Sequence, residues 1–340
     1  MKAAVFYGVN DIRIEEREIR EPCPGEVLVK NRAAGVCGTD VHIYGGEKGA
    51  SDVDPPVVLG HEYSGEIIRV GEGVTNVQVG DHVTVDPNIY CGICDACRNG
   101  KKQMCEHMMA IGVNFDGGFA EYSTVPAAQC LKVNNSLSFE AAALSEPLAC
   151  CIHGIDRAEI RPGDSVCIIG GGAIGLMMVQ LAKLSGASAV ILSEPVAMRR
   201  EAALKAGADH VIDPLAGNVR EQVCKITGTG GASVVIECAG LPVTAGQAVD
   251  AAMRGATILM FSVPSPDAVY QINQFDIFKK ELTIRGSFVN PDTHQRAVNL
   301  LNSGLINTDI IITHRYGVED TVKAIKKQTE QDSLKVIITP

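Results

Sequence analysis

No stretch of this 340-residue chain reaches the roughly 18 consecutive apolar residues that a membrane-spanning helix needs, although 46% of it is apolar. A membrane partner is therefore not expected. Basic residues are in deficit: 30 Lys and Arg against 40 Asp and Glu leave a formal charge of −10. Duplex nucleic acid and anionic membranes both select basic surfaces, so nucleic acid is not an expected partner either. Tryptophan is absent, which by itself excludes nothing. A secretory leader is not expected either, since Met1 is followed by the alternating, charged KAAVFYGVNDIRIEERE. Twelve cysteines without such a leader read as a reducing, cytoplasmic compartment.

What is present begins with those cysteines. Cys91, Cys94, Cys97 and Cys105 follow the pattern C-x2-C-x2-C-x7-C. Two C-x-x-C steps sharing a cysteine, with a fourth thiol one short loop later, can close a thiolate tetrahedron around Zn²⁺. Four thiolates leave no open coordination position, so this site is expected to be structural. The bacterial iron–sulfur run has a last gap of three followed by proline; here the last gap is seven and Glu106 follows Cys105. Cys130, Cys150, Cys151, Cys167, Cys224 and Cys238 lack ligand spacing and read as small core residues.

A chain of this length is expected to form two domains. Up to about residue 145 it is rich in glycine and short alternating stretches. Lys2–Tyr7, Asp11–Glu16, Glu26–Arg32, Tyr63–Val70 and His82–Asp86 read as strands of an irregular all-β domain. From about Ser138 strand and helix alternate. Strands are expected over Ser165–Ile169, Ala189–Ser193, His210–Ile212, Val234–Cys238, Thr257–Val263 and Leu282–Ser287. Helices are expected over Ala173–Leu184, Val196–Ala206, Val219–Thr227 and Val243–Met253. Repeated βα units imply a parallel sheet covered by helices on both faces.

Gly170-Gly171-Gly172-Ala173-Ile174-Gly175 fits G-x-G-x-x-G between an expected strand and an expected helix, the context that makes it a dinucleotide fingerprint. Gly170 permits the tight turn, Gly172 lets backbone N–H groups approach a pyrophosphate, and Gly175 permits close packing of helix on sheet. An acidic residue is expected about 20 positions on. Glu194 stands nineteen residues after Gly175. Its carboxylate would accept both ribose hydroxyls of NAD and repel a 2′-phosphate.

Cys37, the pair His61-Glu62 and Glu146 are candidates for a second metal site. Cysteine, histidine and carboxylate suit zinc while leaving a position for water or substrate. Taken singly, Cys37 could be a buried thiol, His61 a satisfied core histidine and Glu146 a helix surface charge. Together, beside a zinc lobe and a dinucleotide fold, they point to one hydride-transfer site.

These motifs carry a resemblance. The segments GVCGTDVHIY, GHEYSGEI, VGDHV, CGICDACRNGKKQMC, GGFAEYS, SEPLACCIHG and GGGAIG resemble the zinc-dependent medium-chain alcohol dehydrogenases, most closely their sorbitol (polyol) and threonine dehydrogenase branch. The resemblance implies an α/β protein: a GroES-like, mostly-β catalytic domain of residues 1–147 and 288–340 with a zinc lobe at 88–108, and a Rossmann doubly wound parallel sheet at 148–287. It implies Cys37 and His61 as catalytic zinc ligands, Glu62 as ligand or near-ligand, and Glu146 as a second carboxylate on the metal or its water. Thr39 and His42 match the proton-relay positions, and Glu194 and Arg199 the adenosine-ribose positions. The implied cofactors are one catalytic and one structural Zn²⁺ and NAD. The implied reaction is hydride transfer from a secondary hydroxyl of a sorbitol-like polyol, phosphorylated or not, with L-threonine or a small diol such as butanediol as the alternative substrate. The implied assembly is a homotetramer or dimer. A noncatalytic dinucleotide-binding protein on this fold would be expected to have lost Cys37, His61 or the relay, and all are present.

Overall fold

A tight turn at Asn10, in the left-handed region at φ 59°, folds the strand Lys2–Gly8 back on Asp11–Glu16. In this computed structural model, residues 1–47 and 52–340 are described. The chain divides into two compact units, Met1–Ala149 with Asn290–Pro340, and Cys150–Val289.

The first unit is organised on the ten-residue strand Glu26–Gly35. It pairs antiparallel with Glu62–Val70, with Tyr122–Pro126 and with Lys335–Thr339. His82–Val85 and Cys130–Lys132 extend the sheet on one side and Ile312–Gly317 on the other, seven strands in all. Its core is aliphatic, with Val27, Val29, Leu59, Ile67, Val83 and Ile338 fully or nearly fully buried around Tyr63 and Phe119. At the end of the central strand, Gly35 pairs with Glu62 on one neighbouring strand and with Ile337 on the other. The last strand therefore brings the chain terminus beside Glu62.

The second unit is a six-stranded parallel sheet in the order His210–Ile212, Ala189–Ser193, Ser165–Ile169, Ala232–Glu237, Ala252–Met260, Thr283–Gly286. Numbered along the chain, this is the 3-2-1-4-5-6 order of a dinucleotide-binding sheet. The first strand, Ser165–Ile169, and its helix, Ala173–Leu184, are apolar almost throughout, as elements buried on both sides must be.

Two expected boundaries are corrected here. The helix expected over Val243–Met253 spans Pro242–Ala251, and the strand expected from Thr257 begins at Ala252. Ala252 is already extended, at φ −73° and ψ 129°, and pairs with Ala232, so sheet pairing takes residues that local propensity would leave helical. That strand stops at Met260 because the next N–H groups, of Phe261 and Ser262, turn onto the Glu237 carbonyl at 3.0 and 3.2 Å. Helices at Gln274–Lys280, His294–Asn302 and Thr321–Gln328 had no counterpart in the sequence expectations.

Candidate active site and metal centres

The four cysteines of the lobe converge. Cys94 caps the one-turn helix Asp95–Arg98, and the chain returns through a 3-10 turn to Cys105. The four sulfurs lie within 4.8 Å of one another, with Cys91 and Cys97 at 4.0 Å. A tetrahedron with zinc–sulfur bonds of about 2.3 Å has edges of about 3.8 Å, so the cluster fits Zn²⁺. Backbone N–H groups of Cys97 and Glu106 pull the Cys94 thiol down to about 6, a thiolate-favouring environment. All twelve cysteines are free thiols.

Cys37, His61 and Glu62 form the second group, again with ligand atoms within 4.8 Å of one another. Cys37 ends the loop before the helix Gly38–Gly45. Asp40, fully buried one turn in, reaches back to accept the Cys37 N–H at 2.8 Å. The other Asp40 oxygen stands 3.7 Å from His61 Nδ1, and both atoms are buried without a hydrogen-bond partner among the described residues. His61 is held well above the ordinary imidazole range: burial works against its charge, but the Cys37 sulfur and the Asp40 carboxylate outweigh it.

Lys335, which no motif signalled, completes this environment. Its ammonium donates to both Glu62 oxygens, at 2.9 and 2.7 Å, and to the Val36 carbonyl at 3.1 Å. Burial would lower its pKa, yet the charges of Glu62, Cys37 and Glu146 raise it. Gly35 makes the approach possible, because a Cβ there would run into the Glu62 carboxylate. Glu146, 7% exposed in the first turn of the helix Ser145–Ala158, contributes its field without joining the three-residue group. The pocket of charge thus favours cations, and its sulfur, nitrogen and carboxylate donors match zinc in an open site.

Thr39 and His42 are three residues apart on the helix Gly38–Gly45, hence on one face. Thr39 Oγ1 lies 3.7 Å from Cys37 Sγ. His42 Nδ1 lies 2.7 Å from the exposed Glu47 carboxylate.

In the second unit, Gly170 turns the chain at φ 104° after the first parallel strand. Gly175 packs so closely that a Cβ would strike the Gly170 carbonyl, whereas a Cβ at Gly172 would meet open space. Packing explains Gly175, and the open side of Gly172 leaves room for a phosphate-bearing ligand. Ile174 is half-buried in the first turn of Ala173–Leu184. Glu194, 4% exposed, accepts N–H bonds from Gly171 at 2.7 Å and Val196 at 2.9 Å. The carboxylate is therefore fixed against the fingerprint loop. Arg200, not singled out by the sequence reading, braces the strand end by donating to the Glu194 and Pro195 carbonyls and pairing with Asp213 at 3.2 Å. Arg199 lies beside it, half-buried in the helix Ala197–Lys205.

Comparison with known proteins agrees with this geometry. Residues 23–135 match the alcohol dehydrogenase GroES-like domain, and residues 173–303 match the zinc-binding dehydrogenase domain. Sorbitol dehydrogenase of Bacillus subtilis is 35% identical over 100% of this chain and 97% of its own length. The chain belongs to the zinc-dependent medium-chain alcohol dehydrogenase family. L-threonine 3-dehydrogenase of Pyrococcus horikoshii is 39% identical over 93% of this chain and 90% of its own. A zinc-binding dehydrogenase of Sinorhizobium meliloti, solved with NADP bound, superposes with a TM-score of 0.96 at 40% identity, covering 100% of this chain and 99% of that one. This medium-chain dehydrogenase is therefore an NAD(P)-linked oxidoreductase with a GroES-like unit and a Rossmann unit. No helix among the described residues is long and apolar enough to cross a membrane.

Proposed function

We propose that this protein oxidises a secondary hydroxyl of a sorbitol-like polyol, passing the hydride to NAD. The carrying observation is the convergence of Cys37, His61 and Glu62 within 4.8 Å in a surrounding that favours positive charge. Cys37, His61 and a carboxylate, Glu62 or Glu146, would hold the catalytic Zn²⁺, and the four lobe cysteines a structural one. When bound, the catalytic zinc supplies Lewis acidity toward a hydroxyl oxygen and the nicotinamide supplies the hydride acceptor.

The chain's own groups do the rest. Asp40 fixes the Cys37 loop through the backbone N–H and sets a negative charge behind His61. Lys335 holds Glu62 in one orientation. Thr39 takes up the substrate hydroxyl proton as it gives up its own, and His42 with Glu47 leads that proton to solvent. Glu194 takes the adenosine ribose hydroxyls with a carboxylate already fixed by two backbone amides.

Two alternatives have specific support. The 39% identity with an L-threonine 3-dehydrogenase favours threonine or a small diol as substrate. The NADP of the Sinorhizobium relative, with Arg199 and Arg200 near the Glu194 strand end, favours the phosphorylated cofactor. Steady-state kinetics on pentitols, hexitols, their phosphates, butanediol and threonine, each with NAD and NADP, decides among them. A kcat/KM for threonine above that of every polyol would overturn the polyol assignment. Self-association also fits: the strand Thr283–Gly286 is paired on one side only, with Phe275 and Phe278 exposed on the helix before it. Sedimentation equilibrium tests this, and a monomer at micromolar concentration would refute it.

A further inference from the structure

A cavity of about 530 Å³ opens at the start of the strand Ala252–Met260, within the range of about 300–1,000 Å³ typical of small-molecule sites. Its walls come from the helix Val219–Thr227 with the loop after it, from the first residues of that strand, and from the helix Gln274–Lys280. The strands of this sheet are parallel, and the fingerprint Gly170–Gly175 follows the carboxyl end of its strand. The cavity thus lies at the opposite end of the sheet from the expected dinucleotide site.

Four cations line it, Arg220, Arg254, Lys279 and Lys280, against one carboxylate, Asp276. In a chain with ten more acidic than basic residues this is a local reversal of sign. Two of the cations have structural work. Arg220 donates to the Asp250 carbonyl at 3.2 Å, and Lys280 to those of Val249 and Ala252 at 3.2 and 3.3 Å. The Val249 and Asp250 carbonyls end the helix Pro242–Ala251 and that of Ala252 follows it, where acceptors lack intrahelical partners and cations are favoured. Arg254 and Lys279 have no such task. Neither has a carboxylate partner among the described residues, and Lys279 lies 5.6 Å over the Phe275 ring. The crowding is felt: burial and the nearby Arg220 hold Lys280 below the ordinary lysine range.

We propose that this cavity is a second ligand site, for a phosphate-bearing small molecule held by Arg254 and Lys279 over the tethered pair Arg220 and Lys280. Guanidinium forks match phosphate oxygens in pairs, and ammonium groups serve as compact counter-charges. A multiply charged phosphate entering here relieves the repulsion between Arg220 and Lys280.

The test uses inorganic pyrophosphate as probe and the full-length, zinc-loaded protein, by calorimetry at ionic strength fixed with sodium chloride. It is run with and without saturating NADH or NADPH, whichever the protein binds, so that the fingerprint loop can be filled. The comparison is the double variant Arg254→Gln, Lys279→Gln, which leaves the two helix-tethered cations in place. The expected result is saturable binding, indifferent to the dinucleotide and at least tenfold weaker in the double variant. Absence of saturable binding overturns the site. So does equal affinity in the variant, or loss of binding when the dinucleotide is present, since either places the anion elsewhere. A change in sedimentation of the variant with pyrophosphate affinity unchanged assigns the cations to contact with a second copy, and also overturns it.

Discussion

Lys335 and Glu62, 273 residues apart in the chain, form a buried ion pair in which one ammonium serves both carboxylate oxygens, at 2.9 and 2.7 Å. Their side chains are 5% and 1% exposed. Desolvating two charges is costly, and a buried pair is weak evidence of net stability. Breaking it is another matter, because an unpaired buried charge remains. Lys335→Met is expected to destabilise the metal-free protein by about 3–5 kcal/mol. Adding Glu62→Gln should recover part of that loss, since the stranded charge is removed. Urea denaturation of wild type, both single variants and the double closes the cycle. A double variant whose loss equals the sum of the singles would show that the two side chains are not coupled.

The two metal centres are expected to respond differently to loss of a ligand. Wild type should carry about two zinc ions per chain, and Cys37→Ser and Cys94→Ser about one each. Closing a thiolate tetrahedron contributes folding free energy, so Cys94→Ser should lower Tm by several degrees. Cys37→Ser should abolish turnover with little change in Tm, because Asp40 grips the backbone N–H of Cys37 rather than its sulfur. Elemental analysis and calorimetry of the two variants check this; full activity without zinc would sink the assignment.

The relay predicts a pH signature. Thr39→Ala removes the hydroxyl 3.7 Å from the Cys37 sulfur, and kcat should fall by about a hundredfold with the dinucleotide Kd unchanged. Glu47→Gln should be milder, since that carboxylate is exposed and water can replace it. Kinetics across pH 5–10 on both variants would remove Thr39 from the mechanism if the profiles matched wild type.

The strands and helices of the parallel sheet were legible because each has a local signature: Ser165–Ile169 and Ala173–Leu184 have the bounds their apolar runs suggest. The proposed ligands Cys37 and His61, and the fingerprint, stand in the sequence as motifs. Lys335 was not. Its strand reads KVIIT, a lysine heading an apolar run, and nothing local says that it faces Glu62. That fact lives in the pairing of Gly35 with strands on both sides, a long-range property. Ala252 was misjudged for the same reason, since pairing with Ala232 overrode its helical propensity.

Asp86 and His294 supply a test of stability against pH away from the catalytic group. Burial pushes the Asp86 carboxyl up to about 6, and burial pushes His294 down to about 3. The Asp86 side chain is 19% exposed. With a folded value above its unfolded one of about 4, folded protein binds more protons in that window, so this group's contribution falls as pH rises from about 4 to 6. His294 acts oppositely: its unfolded form binds more protons, so its contribution rises from about pH 3 to 6.5. Asp86→Asn should therefore be more stable than wild type at pH 8, by up to about 3 kcal/mol, and no more stable below pH 4. Denaturation midpoints at both pH values measure it. A gain that is equal at both would mean that Asp86 ionisation is not its source.

Glu194 decides the cofactor in this reading. Gly171 and Val196 fix its carboxylate through backbone N–H groups, so swinging away would leave the buried Gly171 donor unmatched, which costs about 1–3 kcal/mol. NADP would place a phosphate dianion against this fixed charge in a partly desolvated cleft. Like-charge juxtaposition of that kind costs several kcal/mol, so NAD should be preferred by about a hundredfold or more in kcat/KM. Arg199 and Arg200 pull the other way. Arg200 is committed to the Glu194 and Pro195 carbonyls and to Asp213, and Arg199 stands beside it on the helix Ala197–Lys205. Glu194→Ala should narrow the preference at least tenfold, and Arg199→Ala in that background should restore part of it. Wild-type kcat/KM values favouring NADP would show that the arginines, not the carboxylate, set the choice.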